Sequence, residues 1–392
     1  MNPRPTQVKL KKKTVNTSYM GKKRGRRAIS LFSGAGGLDV GIQQVGFQIL
    51  ADIEMDFPCC ETLRHNIKKE NRTTLVIEDD VTSVNVEELM GRLKLNPGEL
   101  DLLFGGPPCQ SFSLIGKQRG LSDDRGVLLF QMVRYAKILK PKSILIENVK
   151  GLIGANDLKG RKGGILKKLL TELELLGYVP KWQIINSATL GVPQSRERVF
   201  IVATPKPNGF QFPLPTHKEK NSQTCLLPLN NYVTAGEALS GLPDPVRKEQ
   251  LNEHFVFPNH IDVTPPGDQK RIHGVGEGRH LAAETHLPAN QIKGLTKKDT
   301  TKYLRLSTKK PSNTLRCGEI FFHPKEDRYL TPREYMRIHG FPDSYELRGP
   351  IRSRSGRVRD LDQHRQVANS VPPPVAKAIG IEIQRTLNAQ NI

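Results

Sequence analysis

The chain has 392 residues, enough for one large or two ordinary domains with real cores, and 36% of them are hydrophobic and 25% charged. No apolar run approaches the ~18 residues that span a bilayer, and the N-terminus lacks the apolar core of a secretory signal. These features argue against a membrane or exported protein and predict a cytoplasmic, reducing location. Sixty Lys and Arg against thirty-nine Asp and Glu leave a net +21, which favours a polyanionic partner, most simply nucleic acid.

Residues 1–27 hold ten Lys and Arg and no acid, around Lys11-Lys12-Lys13 and Lys22-Lys23-Arg24-Gly25-Arg26-Arg27. Such a tail is expected to lack fixed structure and to bind phosphate without reading sequence. The remainder still carries about +11, so the folded part is basic too. Residues 28–203 alternate short apolar runs with helical patterns, which predicts an α/β fold with a doubly wound, mostly parallel sheet. The predicted strands are 28–32, 47–53, 74–77, 101–104, 143–146, 182–185 and 199–203.

Phe32-Ser33-Gly34-Ala35-Gly36-Gly37-Leu38-Asp39-Val40-Gly41 follows the first strand. Its glycines allow a tight turn and close approach of a ligand to backbone N–H groups at a helix start. Their spacing differs from the GxGxxG dinucleotide fingerprint. Glu54 follows the second strand, where an acid can accept hydrogen bonds from ribose hydroxyls, and Asp80 follows the third, near where an adenine edge would lie. After the fourth strand comes Gly105-Gly106-Pro107-Pro108-Cys109-Gln110-Ser111-Phe112-Ser113. Gly-Gly-Pro-Pro cannot continue a strand, and its prolines hold the Cys109 thiol at the strand's carboxyl edge, a place suited to a nucleophile.

Glu147 is read as the end of the fifth strand in Ile144-Leu145-Ile146-Glu147-Asn148-Val149. Ligands of open parallel sheets bind beyond the carboxyl ends of the strands, so Phe32, Glu54, Asp80, Cys109 and Glu147 are expected along one edge. A buried carboxylate without a partner is costly, so Glu147 either pairs or is held protonated. Taken singly these residues read as turn glycines, solvated acids and a small buried thiol. Together they form a constellation.

Ile165, Leu166, Leu169, Leu170, Leu173 and Leu176 recur at helical spacing ahead of Gly177, a core stripe. Residues 204–310 are rich in Pro, His, Asn, Lys and Gly, which predicts a smaller, loop-rich domain. Thr331-Pro332-Arg333-Glu334 reads as a capping box with proline at the first helical position, stopped by Gly340 and Pro342. A last helix is expected over about 375–387. The five cysteines (Cys59, Cys60, Cys109, Cys225, Cys317) show no paired spacing, so neither a metal site nor a disulfide framework is expected.

In this order the motifs resemble those of the bacterial-type DNA (cytosine-5)-methyltransferases, from Ile29 to Ile383 apart from a variable region. The resemblance implies the Rossmann-like fold of S-adenosylmethionine-dependent methyltransferases, with S-adenosyl-L-methionine as cofactor and no metal. Phe32 to Gly41 resembles the first cofactor motif, with Phe32 stacking on adenine and Ser33, Gly34, Gly36, Gly37 and Leu38 around the cofactor. Glu54 resembles the ribose-binding acid, Met55 its apolar neighbour and Asp80 the residue at the adenine amino group, and Pro107 and Leu128 are carried over as further contacts.

Pro107-Pro108-Cys109-Gln110 is similar to the catalytic loop, with Cys109 as nucleophile, and Glu147-Asn148-Val149 to the catalytic glutamate motif. Gln194-Ser195-Arg196-Glu197-Arg198 matches QxRxR, which implies that Arg196 and Arg198 hold the target nucleotide. Gln366 to Pro374 resembles the last motif, whose Asn369, Ser370 and Val371 return to complete the cofactor pocket. By resemblance the large domain is then 28–203 with 361–392, and 204–360 is the small domain with the target-recognition region. Pro311 to Arg316 looks like the motif that closes that region. Ile351 to Arg359 carries four arginines suited to phosphate contact.

The implied activity is methyl transfer to C5 of a flipped-out cytosine in a specific double-stranded DNA sequence, through a covalent Cys109–C6 adduct. The implied protein is a nucleoid-associated monomer of a restriction-modification or orphan system, whose cognate restriction endonuclease, where there is one, forms no stable complex with it. Two alternatives stay open: a tRNA cytosine-5 substrate, and a catalytically silent DNA-binding protein on the same fold. An N4-cytosine or N6-adenine methyltransferase fits poorly, because those enzymes resemble a (D/N/S)PP(Y/F) motif and need no cysteine. Arg271, His273, Arg279 and Asn290 are unranked candidate base readers.

Overall fold

Seven strands form one sheet: β1 (Arg26–Leu31), β2 (Phe47–Glu54), β3 (Leu75–Glu78), β4 (Leu102–Gly105), β5 (Ile144–Val149), β6 (Tyr178–Asn186) and β7 (Glu197–Pro205). Their order is β3-β2-β1-β4-β5-β7-β6. The first five are parallel, and β7 runs antiparallel to both β5 and β6, so the sheet is the mostly parallel one the sequence predicts. The computed structural model describes residues 25–108, 124–157, 160–205, 209–220, 228–250, 257–284, 286–287, 303–352 and 360–389. Cys109, Cys225, Asn290, residues 1–24 and residues 353–359 of the arginine tract therefore lie outside the described residues.

Alternation along each strand sends side chains to two cores. On one face Ile29, Leu31, Ile144, Ile146, Val199 and Ile201 pack against α3 (Val86–Leu93), α4 (Asp124–Leu139) and α5 (Gly164–Leu175). On the other, Ala28, Leu145, Phe200 and Val202 meet α1 (Gly37–Gln44) and α10 (Pro373–Ala389), the last helix of the chain. The C-terminal segment thus returns to the sheet beside the first helix. Gly41 makes that contact possible: a Cβ there would meet the Pro373 carbonyl and lie 2.5 Å from the Ala376 Cβ.

A third cluster joins Ala35 and Val40, at and after the glycine-rich turn, to Leu306, Leu315, Tyr335, Met336 and Phe341. Most of its mass comes from α8 (Pro332–His339) and the strandless segments around it. Thr331 caps α8 as expected, its hydroxyl accepting from Glu334 N while the Glu334 carboxylate accepts from Thr331 N.

One expectation needs correction. Glu147 does not end the fifth strand, which runs on through Val149 because β7 pairs with Glu147, Asn148 and Val149 as well.

Candidate active site

The register of β5 against β7 builds the site. Glu147 lies opposite Phe200 and Val149 opposite Arg198, so Glu147 and Arg198 are diagonal neighbours on one face. Diagonal positions are within reach of long side chains, and Arg198 Nε is 3.2 Å from Glu147 Oε1. Gln194, Arg196 and Arg198 alternate with exposed Ser195 and Glu197, so the three turn the same way. That face is the one covered by α1 and α10, and Arg196 Nη2 accordingly donates to the Ser370 carbonyl at 3.2 Å.

Electrostatics follow from burial. Glu147 is 9% exposed, and loss of solvent raises its pKa although Arg198 and then Arg196 pull it down. Arg196 is buried, and desolvation with help from Arg198 brings its pKa down to about 9. Its Nε and Nη1 have no hydrogen-bond partner among the described residues. A guanidinium so placed has two donors aimed at something else. Beside these residues opens a cavity of about 470 Å³, lined among others by Lys150, Asn186, Ser195, Arg198 and Thr314.

The stem of the Cys109 loop is held at the same edge. Asn148 Nδ2 donates to the Pro107 carbonyl at 3.1 Å, two residues before the cysteine. Gly106 leaves room for the acid, since a Cβ there would lie 3.1 Å from Glu147 Oε2.

The glycine-rich turn forms the other half. Phe32, Gly34 and Gly36 have φ of +53°, +54° and +76°, which turns the chain sharply from β1 into α1. Glu54 accepts Gly34 N on Oε2, and Met55 N and Asp56 N on Oε1, each at 2.8 Å. Burial still raises its pKa. Met55 is exposed beside it, and Phe32 and Leu128 are half-buried. Asp80 Oδ1 accepts from Thr82 N and Oγ1, and no described contact joins Asp80 to the other predicted residues. At the far side Gly37 packs on the returning segment, where a Cβ would meet the Val371 carbonyl and lie 2.9 Å from the Ser370 Cβ. Asn369 is exposed and accepts from the Cys317 thiol.

A family model described as C-5 cytosine-specific DNA methylase matches residues 26–385. The chain belongs to the C-5 cytosine-specific DNA methylase family. Its activity is accordingly that of a DNA (cytosine-5-)-methyltransferase. The methylase is 41% identical over 230 residues to the Type II methyltransferase M.AquIA of Picosynechococcus sp., a match covering 56% of this chain and 89% of that relative. It is 34% identical over 371 residues to the Type II methyltransferase M.PspPI of Psychrobacter sp., covering 92% and 79%. In fold it is similar to a solved E. coli prophage-encoded protein described as a DNA modification methyltransferase, with a TM-score of 0.67 at 24% identity over 93% and 99% of the two chains.

Among the described residues the methylase has no helix long and apolar enough to cross a membrane and no cluster of His, Cys, Asp and Glu that could hold a metal ion. Three of its candidate base readers have partners within the protein. Arg271 stacks on Tyr303 and pairs with Asp268, His273 Nδ1 is 2.6 Å from Asp327, and Arg279 donates to Glu284. Sequence reasoning gave Asn148 no role of its own and missed His339, a fully buried imidazole between Gln194 and Ser370. Nothing in the linear sequence marks His339. It ends a helix whose neighbours are set by the tertiary fold.

Proposed function

We propose that the chain transfers a methyl group from S-adenosyl-L-methionine to C5 of a cytosine flipped out of double-stranded DNA at a specific sequence. The observation that carries this reading is the Glu147–Arg198–Arg196 face, a buried acid with two arginines beside it at the Cys109 loop stem, Arg198 also lining the adjoining cavity.

The residues present fit the cofactor. Glu54 takes three backbone N–H donors, and a carboxylate has about four acceptor sites, which leaves one for a ribose hydroxyl. Among the described residues nothing lies within 4 Å of where a Gly34 Cβ would be, which leaves that backbone room for a ligand. Phe32, Met55 and Leu128 supply apolar surface, Asp80 an acceptor, and Ser33, Gly36, Leu38, Pro107, Asn369 and Val371 the remaining walls. When bound, S-adenosylmethionine supplies an electrophilic methyl group.

Cytosine C5 is a weak nucleophile, and addition of the Cys109 thiolate at C6 makes it enamine-like. Glu147 hydrogen-bonds or protonates N3 and so removes charge from the ring; its raised pKa suits a proton donor. Arg198 holds O2, and Arg196 supports the loop and substrate. C5 then takes the methyl group as S-adenosylhomocysteine leaves, and loss of the C5 proton to water with departure of the Cys109 thiolate from C6 leaves 5-methylcytosine. A base inside a duplex is out of reach, so it is flipped at a cost of a few kcal/mol.

Residues 204–360 form the small domain on this reading. The cluster of Ile272, Val275, Leu281, Phe322 and Tyr329, drawn wholly from that span, supports the division. The test is transfer of labelled methyl from S-adenosylmethionine to duplex DNA and to tRNA by wild type and Cys109→Ala. Label is expected in DNA with the wild type alone; transfer by the variant, or to tRNA only, would refute the reading.

A further inference from the structure

His339 closes the C-terminus of α8 and is fully buried. Its two ring nitrogens face different segments: Nδ1 is 2.9 Å from Gln194 Nε2, and Nε2 is 2.9 Å from the Ser370 carbonyl. Backbone groups at both ends fix every donor in this chain. Leu315 N–H can only donate, and at 3.1 Å it claims Gln194 Oε1, so the Gln194 amide nitrogen faces the imidazole. Ser370 O can only accept, so the ring proton sits on Nε2. Nδ1 then accepts from Gln194, and the imidazole is neutral in a single tautomer. Burial and the neighbouring Arg196 hold its pKa well below the usual histidine value, in keeping with this arrangement.

The Ser370 carbonyl is also where Arg196 Nη2 is anchored, and it is that guanidinium's one hydrogen-bond partner among the described residues. On its other side the Ser370 side chain and the next carbonyl, that of Val371, abut Gly37 of the glycine-rich turn. One residue therefore meets both halves of the pocket, Ser370 holding Arg196 with its carbonyl and facing Gly37 with its side chain, and His339 holds that carbonyl.

We propose that His339 is a positioning residue that couples the two halves: through Ser370 it sets the Arg196 guanidinium and the backbone behind the glycine-rich turn as one unit, so that ligand binding at either half alters the other. This rests on the proposed methyl transfer from S-adenosylmethionine. Coupling of this kind is reciprocal and spans about 5- to 150-fold in affinity.

The test compares wild type, His339→Gln and His339→Leu. A glutamine amide spans nearly the same separation as two ring nitrogens and can accept from Gln194 while donating to Ser370 O; leucine does neither. Affinity for S-adenosylhomocysteine is measured calorimetrically with and without sheared mixed-sequence genomic DNA, beside turnover and thermal melting. In wild type and His339→Gln, DNA is expected to change that affinity at least about fivefold. In His339→Leu the ratio should fall to near one and turnover should drop by up to about a hundredfold, as a displaced active-site group implies.

A folded His339→Leu protein with wild-type affinities and DNA effect overturns the proposal, as does a His339→Gln protein as impaired as His339→Leu. Wild type that binds S-adenosylhomocysteine but ignores DNA overturns the coupling alone; failure to bind it at all overturns the functional reading as well. Should His339→Leu not fold, nitrogen NMR of the wild type decides: the ring is expected as the Nε2–H tautomer from about pH 5.5 to about 8.5, and a titrating ring refutes the arrangement.

Discussion

Arg198 Nε lies 3.2 Å from Glu147 Oε1, and the strand register, not closeness in the chain, makes this pair. Two effects act on the acid in opposite directions. Burial favours the neutral carboxyl, and the two arginines favour the carboxylate; burial is the larger, so the pKa ends above the ordinary glutamate value. The arginines act as a brake, keeping the group acidic enough to give up a proton.

Removing that brake should move a pH limb in a known direction. Activity that needs protonated Glu147 is full below its folded-state pKa and falls as pH rises through it. Arg198→Met removes the cation that lowers this pKa, so the alkaline limb of kcat/KM should move to higher pH even as the rate itself falls. Glu147→Gln should lose about 100- to 10,000-fold in kcat, the span of general acid–base catalysis, while still binding DNA. A limb in Arg198→Met that stays put or moves to lower pH would contradict the assignment.

The sequence makes the large sheet readable because its strands are short apolar runs between turn residues, and each of its seven strands overlaps a predicted one. The two-residue strands of the 204–310 span have no predicted counterpart. The largest misjudgement is β6, which spans Tyr178–Asn186 rather than 182–185. Pro180 hides its first half, yet β6 is an edge strand, where a proline is tolerated, and the pairing with distant β7 carries it. In the site, Glu54 and the glycine-rich turn are legible because they are close in sequence to the strands that present them. The Glu147–Arg198 contact needs the direction of β7, and His339 needs three segments brought together. Local patterns carry neither.

Gly41 offers a test of how the C-terminal segment is held. In mid-helix, glycine to alanine normally stabilises by about 0.5–1 kcal/mol. Here the added methyl would meet the Pro373 carbonyl and the Ala376 Cβ, 2.5 Å away, and backbone cannot step aside as a side chain can. Overpacking typically costs about 1–3 kcal/mol, so it should win. Gly41→Ala should melt lower than wild type and bind S-adenosylhomocysteine more weakly, because Ser370 and Val371 directly precede α10. A variant that melts higher would mean that α10 can shift freely.

Asp52 should set a pH dependence of stability. Asp52 and Asp39 are 1% and 4% exposed, and Asp52 sits opposite Ser30 in the β1–β2 register beneath the glycine-rich turn. Both Asp39 oxygens, Asp52 Oδ1 and the Ser30 hydroxyl lack a hydrogen-bond partner among the described residues, and the two acids act on each other's proton affinity. Two neighbouring buried acids without donors are relieved when one of them holds a proton. Burial raises both pKa values, Asp52 the more, with Asp39 adding to the shift; Arg72 opposes it only weakly.

For acids with raised folded-state pKa values, the stabilising contribution is complete below the unfolded value near 4 and is lost as pH rises through the folded one. Each tenfold change in proton affinity is worth about 1.4 kcal/mol. Asp52→Asn supplies a permanent N–H where the shared proton sits, so its stability should not fall over the same range. Thermal melts from about pH 5 to about 9 should therefore show the variant gaining on wild type as pH rises, by several degrees for each 1–2 kcal/mol. Parallel melting curves across that range would mean that Asp39 and Asp52 share no proton.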